Sequence, residues 1–140
     1  MKKQRLSKSM EDYLETVLIL SRMNGEARIS DIAEQLNISK PSVTEAIDKL
    51  SEEGYVNKEK YRPVSLTAEG KKLAEQVFCK HNILKQFLIN VVGVEPEVAE
   101  DDACKIEHVV SDDTMERIYA ILDKEDFLNQ INHSCQHYNN

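Results

Sequence analysis

The stretch ISDIAEQLNISKPSVTEAIDKLSEEGYV, from Ile29 to Val56, leaves this chain the fewest folds to choose from. Ser30 is placed to cap a short helix over Asp31–Leu36, and Asn37-Ile38 makes a turn. Ser39 caps again, and a second helix runs from Lys40 to about Glu53, where Gly54 ends it. Pro41 fits the first turn, whose N–H has no partner within the helix. Ile32, Ala33, Leu36, Ile38, Val43, Ile47 and Leu50 form the apolar side. Two helices, a tight turn and a small polar outer face predict a helix-turn-helix. That face carries Ser39, Lys40, Ser42, Thr44, Glu45 and Asp48. Its small hydroxyls allow close approach to DNA and donate to phosphates or bases.

The residues after Gly54 extend the motif. Tyr55–Lys60 and Pro63–Leu66 read as two strands around Tyr61-Arg62, which makes a hairpin behind the helix pair and therefore a winged helix. Lys58, Lys60 and Arg62 crowd the hairpin tip, where cations grip phosphate. The DNA-facing set expected from the sequence is Arg28, Ser39, Lys40, Pro41, Ser42, Thr44, Lys58, Lys60, Tyr61 and Arg62. Ahead of it, Ser9 with Asp12 at the capping-box offset opens a helix from Met10 to about Met23, stopped by Asn24-Gly25.

A net charge of −7 argues against a polyanionic partner only if it is evenly spread. Residues 1–80 hold 14 Lys/Arg against 13 Asp/Glu, or +1, while residues 81–140 hold 4 against 12, or −8. The first half tolerates a polyanion and the second attracts cations. No apolar run approaches the ~20 residues that span a bilayer, and the basic start lacks the apolar core of a signal peptide. Three cysteines at 79, 104 and 135, an odd count without framework spacing, fit a reducing cytoplasm.

Thr67 caps a long helix, Ala68 to about Val91, whose apolar set is too generous for one small core and implies a partner subunit. Gly93 breaks it. Glu95-Pro96 starts a helix ending near Val109-Val110, and Ser111 caps another over Asp112–Leu122. Within DDACKIEHVV, Cys104, Glu107 and His108 stand at i, i+3 and i+4 and share one helix face. Thiolate, carboxylate and imidazole suit manganese, iron, cobalt or zinc. An ordinary amphipathic helix, with the cysteine in the core and the other two in solvent, gives the same spacing. His81 on the long helix and the alternating His133, Cys135 and His137 of the tail are further metal-binding residue types, though a packed or solvated histidine accounts for the first and a frayed terminus for the others.

These strings, SMEDYLE, ISDIAEQLNISKPSVTEAIDKLSEEGYV, KYRPVSLTAEGKKLA, the Lys80-His81 pair and DDACKIEHVVSDD, resemble the diphtheria-toxin-repressor family of metal-activated regulators, including its manganese-transport-regulator branch. The similarity covers about Ser9 to Leu122. It implies a mainly α fold: a winged helix-turn-helix over 1–72, then an all-helical metal-binding and dimerisation domain over 73–140, without the SH3-like third domain of longer members. It also implies a cytoplasmic, non-enzymatic homodimer that binds a palindromic operator in double-stranded DNA and represses metal-uptake genes. By this resemblance Asp12, Cys104, Glu107 and His108 match primary metal ligands, while His81 and Glu15 match further ones. Glu100 falls where iron regulators place a histidine, and Lys85 replaces a second-site glutamate. Asp12 is the manganese-type residue and Cys104 the iron-type one, so Mn(II) or Fe(II) is the implied cofactor, with Co(II) and Zn(II) able to serve in vitro. A winged-helix repressor sensing a non-metal ligand is the alternative. A metal-dependent hydrolase is disfavoured, because the chain has no HExxH, no Ser/His/Asp arrangement and no glycine-rich phosphate loop.

Overall fold

The computed structural model describes residues 6–125 and Phe127. Over these the chain is mainly helical with one two-stranded sheet, and it divides into two units, one through Ala74 and one from Glu75.

In the first unit, α1 spans Lys8–Asn24. Its cap is Ser7 rather than the expected Ser9: the Ser7 Oγ accepts from the Met10 N–H at 3.3 Å, and Ser9 lies inside the first turn. Gly25, in the left-handed region at φ 81°, closes the helix by donating to the Ser21 carbonyl. The next helix, α2, covers Ile29–Leu36 and starts before the expected Ser30 cap. Ala27 forms a β-bridge with Val64, so the chain arrives extended and Arg28 becomes the N-cap without a side-chain bond. Asn37 turns in the left-handed region, and α3 follows over Lys40–Glu52. Ile38, expected on the apolar side, is 39% exposed because it stands in that turn.

The hairpin is shorter than its sequence pattern. Strand β1 is Val56–Asn57 and β2 is Ser65–Leu66, antiparallel with Val56 opposite Leu66. Between them Tyr61 adopts φ 65°, the Arg62 N–H donates to the Glu59 carbonyl, and Pro63 has no N–H to donate. The ladder therefore stops early, and most of the wing is turn. Leu14, Val17, Ile32, Val43, Ile47, Leu50, Val56 and Val64 are buried in the core of this unit.

Helix α4, Ala68–Phe87, crosses the division between the units and continues as a π-helical turn, Leu88–Val92, to the left-handed Gly93. Thr67 fixes its start: Oγ1 accepts from the Gly70 N–H at 3.1 Å and donates to the Gly54 carbonyl at 2.7 Å. Next, α5 covers Pro96–Ile106, three residues shorter than expected, with Glu107 as its C-cap. The Val109 and Val110 N–H groups both turn back to the Ile106 carbonyl. Finally α6, Asp112–Lys124, is capped by Ser111 as anticipated. Cys79, Ile83, Leu84, Ala103, Met115, Tyr119 and Leu122 make the core of the second unit. His133, Cys135 and His137 lie outside the described residues.

Candidate metal centre and nucleic-acid interface

The second unit buries charge where an amphipathic helix would expose it. Glu107 is 2% exposed and His108 7%, whereas Cys104, which a purely structural helix would put in the core, is exposed. This arrangement reverses the ordinary reading of the Cys104/Glu107/His108 spacing. A buried carboxylate and imidazole cost several kcal/mol each in lost hydration unless something of opposite character meets them.

His81, from α4, lies at the middle of the cluster and is itself 7% exposed. Its Nδ1 is 2.9 Å from Glu107 Oε2 and its Nε2 is 3.0 Å from Glu100 Oε1. Cys104 Sγ is 3.7 Å from the same Nδ1. The other Glu107 oxygen, Oε1, lies 3.2 Å from His108 Nε2, and Lys85 Nζ is 2.8 Å from Glu100 Oε2. Burial alone would depress the His81 pKa, but hydrogen bonds and charge from Glu107 and Glu100 outweigh it and raise the pKa to about 9. Burial pushes the Glu100 carboxyl up, yet Lys85 and His81 together hold it below the usual range.

The donor atoms of His81, Glu100 and Cys104 all fall within 4.8 Å of one another. One nitrogen, one oxygen and one sulfur, with the buried Glu107 alongside, are a set that mid-series divalent metals accept. The donor set therefore fits a metal, and ligation through His81 would need its ring nitrogen free of a proton. Helix geometry explains the convergence: Glu100 and Cys104 are four apart on α5, and Glu107 follows in its capping turn. Asp12 and Glu15 lie on α1 in the first unit, three apart and both half-buried. Each of these residue types is legible in the sequence, but not that Glu107 bonds His81 through one oxygen while its other lies 3.2 Å from His108 Nε2.

The first unit presents a different surface. Ser39 caps α3 by accepting from the Ser42 N–H at 3.3 Å, and its hydroxyl donates to Ser42 Oγ at 2.9 Å. Ser39, Lys40, Pro41 and Ser42 are exposed, and Thr44 is half-buried. Tyr61, at the wing tip, is 89% exposed, with Lys60 Nζ 5.3 Å from the centre of its ring. Arg62 pairs with Glu59 at 3.3 Å and Arg28 with Glu26 at 2.9 Å, both on the exposed surface. Lys58, half-buried, reaches Asp48 on α3 at 2.5 Å and so ties the wing to the helix pair. That tie, between opposite charges ten residues apart, went unread in the sequence.

Two family models match: the iron dependent repressor N-terminal DNA binding domain over residues 5–64, and the iron dependent repressor metal binding and dimerisation domain over residues 67–136. The HTH-type transcriptional regulator MntR of Bacillus pumilus is 43% identical over 110 residues, covering 79% of this chain and 76% of that one. An HTH-type transcriptional regulator of Methanocaldococcus jannaschii is 37% identical over 120 residues, 85% and 96% of the two chains. Among solved structures, a manganese-dependent transcriptional repressor in complex with manganese superposes with a TM-score of 0.75 at 31% identity over 81% of this chain. This chain spans about half the length of that repressor. With a winged helix in one unit and a His/Glu/Cys cluster around the buried His81 and Glu107 in the other, the chain belongs to the iron-dependent repressor family of transcriptional regulators.

Proposed function

We propose that this protein is a DNA-binding repressor activated by Mn(II) or Fe(II), which controls metal-uptake genes from the cytoplasm as a homodimer. The observation that carries the proposal is the burial of Glu107, His108 and His81 in one polar cluster, in a chain whose other unit is built to bind DNA. The residues assigned to the metal are His81, Glu100, Cys104, Glu107 and His108, with Asp12 and Glu15 contributed by the first unit. A bound divalent ion supplies the positive charge that this excess of carboxylate lacks.

Metal ligation needs the neutral His81 ring, and Glu107 and Glu100 favour its protonated form, so these two carboxylates would bear on how readily the site fills. Ser39, Lys40, Pro41, Ser42 and Thr44 present the amino end of the recognition helix to a major groove, while Arg28, Lys58, Lys60, Tyr61 and Arg62 hold the backbone. Exposed Val91, Val92, Val98, Val109 and Ile121 belong to the dimerisation domain and supply apolar area for a second copy. A dimer serves an inverted repeat whose half-sites lie roughly 34 Å apart, one turn of DNA. Only the dimer geometry that fits this spacing gains from DNA. Whatever favours that geometry on the metal side must therefore be reinforced by DNA in return.

The test is Mn(II) uptake by equilibrium dialysis alongside operator retention, for wild type, His81→Ala and His108→Ala. The proposal expects both variants to lose uptake and metal-dependent retention together. Retention that survives the loss of uptake would contradict it and favour a regulator that senses something other than metal.

A further inference from the structure

One cation is already built into the cluster. Lys85 follows His81 by four residues on α4, so the two side chains rise from the same face. Both reach Glu100 on α5, and they divide its carboxylate. Oε1 faces His81 Nε2 at 3.0 Å, and Oε2 faces Lys85 Nζ at 2.8 Å. The lysine side chain remains partly exposed, whereas His81 does not. The ammonium therefore engages one oxygen of the Glu100 carboxylate while His81, its fellow member of the His81–Glu100–Cys104 group, engages the other.

We propose that Lys85 is an internal competitor for Glu100, which lowers the affinity of the His81–Glu100–Cys104 triad for a divalent metal and so sets the concentration at which this triad fills. The inference rests on the metal reading above and concerns which residue tunes it. A carboxylate has lone pairs enough for both an ammonium and a metal ion. However, two like charges on one small anion repel, and the outer one must move. A four-carbon stem lets the ammonium swing into water without disturbing α4. The cost of that displacement is the binding that the triad forgoes. At the effective dielectric of a half-exposed pair, this corresponds to roughly ten- to a hundredfold in affinity. Arginine would impose the same penalty, and an uncharged chain of similar length would remove it. Cys104 makes the triad directly observable, because thiolate ligation of cobalt absorbs in the near ultraviolet.

The experiment titrates the full chain with Co(II) alone, oxygen excluded, following thiolate-to-cobalt absorption and bound cobalt by dialysis. Wild type, Lys85→Met and Lys85→Arg are compared, with far-ultraviolet circular dichroism and thermal unfolding as fold checks. Lys85→Gln takes the place of Lys85→Met if the methionine disturbs folding. The expected result is that the neutral variant tightens the thiolate-reporting step by roughly ten- to a hundredfold, while Lys85→Arg stays close to wild type. A neutral variant that binds Co(II) as wild type does, or more weakly, overturns the role of Lys85 and leaves the metal reading intact. Equal tightening in both variants also overturns it, because charge is then not the cause. Failure of wild type to take up Co(II) at all would bring down the metal reading and this inference together.

Discussion

Gly70 is the position where one methyl group tests the packing behind the wing. It is buried in the first turn of α4, and a Cβ there would fall inside the van der Waals radius of the Tyr55 carbonyl oxygen, 2.8 Å from its carbon and 3.2 Å from the Tyr55 Cα. All three are backbone atoms, so no rotamer change relieves the contact. The same carbonyl accepts the Thr67 N–H at 3.0 Å, and Thr67 in turn grips Gly54. Gly70→Ala must therefore push the start of α4 away from β1. Overpacking of this kind costs up to about 3 kcal/mol, against a gain of about 1 kcal/mol from the better helix former. A net loss of about 2 kcal/mol corresponds to a fall in melting temperature of about 8–16 °C for a domain of this size. Differential scanning calorimetry and DNA retention on the same preparations read both consequences, since β1 is the base of the wing. A melting temperature equal to or above that of wild type would refute the reasoning, because helix propensity would then be acting alone.

Arg62→Ala should weaken binding to all duplexes about equally and reduce the salt slope by about one contact; an unchanged slope would remove the wing tip from the phosphate backbone. For His81, the folded pKa of about 9 stands above the ordinary 6.5. Its contribution to stability is thus complete below pH 6.5 and is lost as pH rises through about 9, so the unfolding midpoint of metal-free protein should fall across that window. A midpoint that rises with pH there would contradict the assignment. Asp12→Met should weaken Mn(II) activation more than Fe(II) activation, and Cys104→Glu should do the reverse, since thiolate favours the softer ion. Parallel shifts for both metals, measured as anaerobic operator binding, would show that these residues do not set selectivity.

The helix-turn-helix was readable because its signals are local: Ser39 and Pro41 at the start of α3, Asn37 in the turn, Gly54 at the end. The helix starts at Ser7 and Arg28 are not legible in the sequence, for different reasons. Ser7 and Ser9 have equal capping chemistry, and only the structure shows which one the Met10 N–H meets. The start of α2 is set by the Ala27–Val64 bridge, a contact between residues 37 apart in sequence. In the second unit the ligand types were legible, but burial was not. Spacing put Cys104, Glu107 and His108 on one face without saying which of them faces inward, and that depends on α5 ending at Ile106. The pairings of Glu100 with Lys85 and of Asp48 with Lys58 are tertiary, and charge counts do not reveal them.

The central claim is that metal occupancy controls sequence-specific DNA binding. Selection from a randomised duplex library tests it most directly, run anaerobically with Mn(II) in one arm and chelator in the other. The account predicts enrichment of an inverted repeat with half-sites about one helical turn apart, in the metal arm alone. The same repeat enriched in both arms, or none in either, would contradict it.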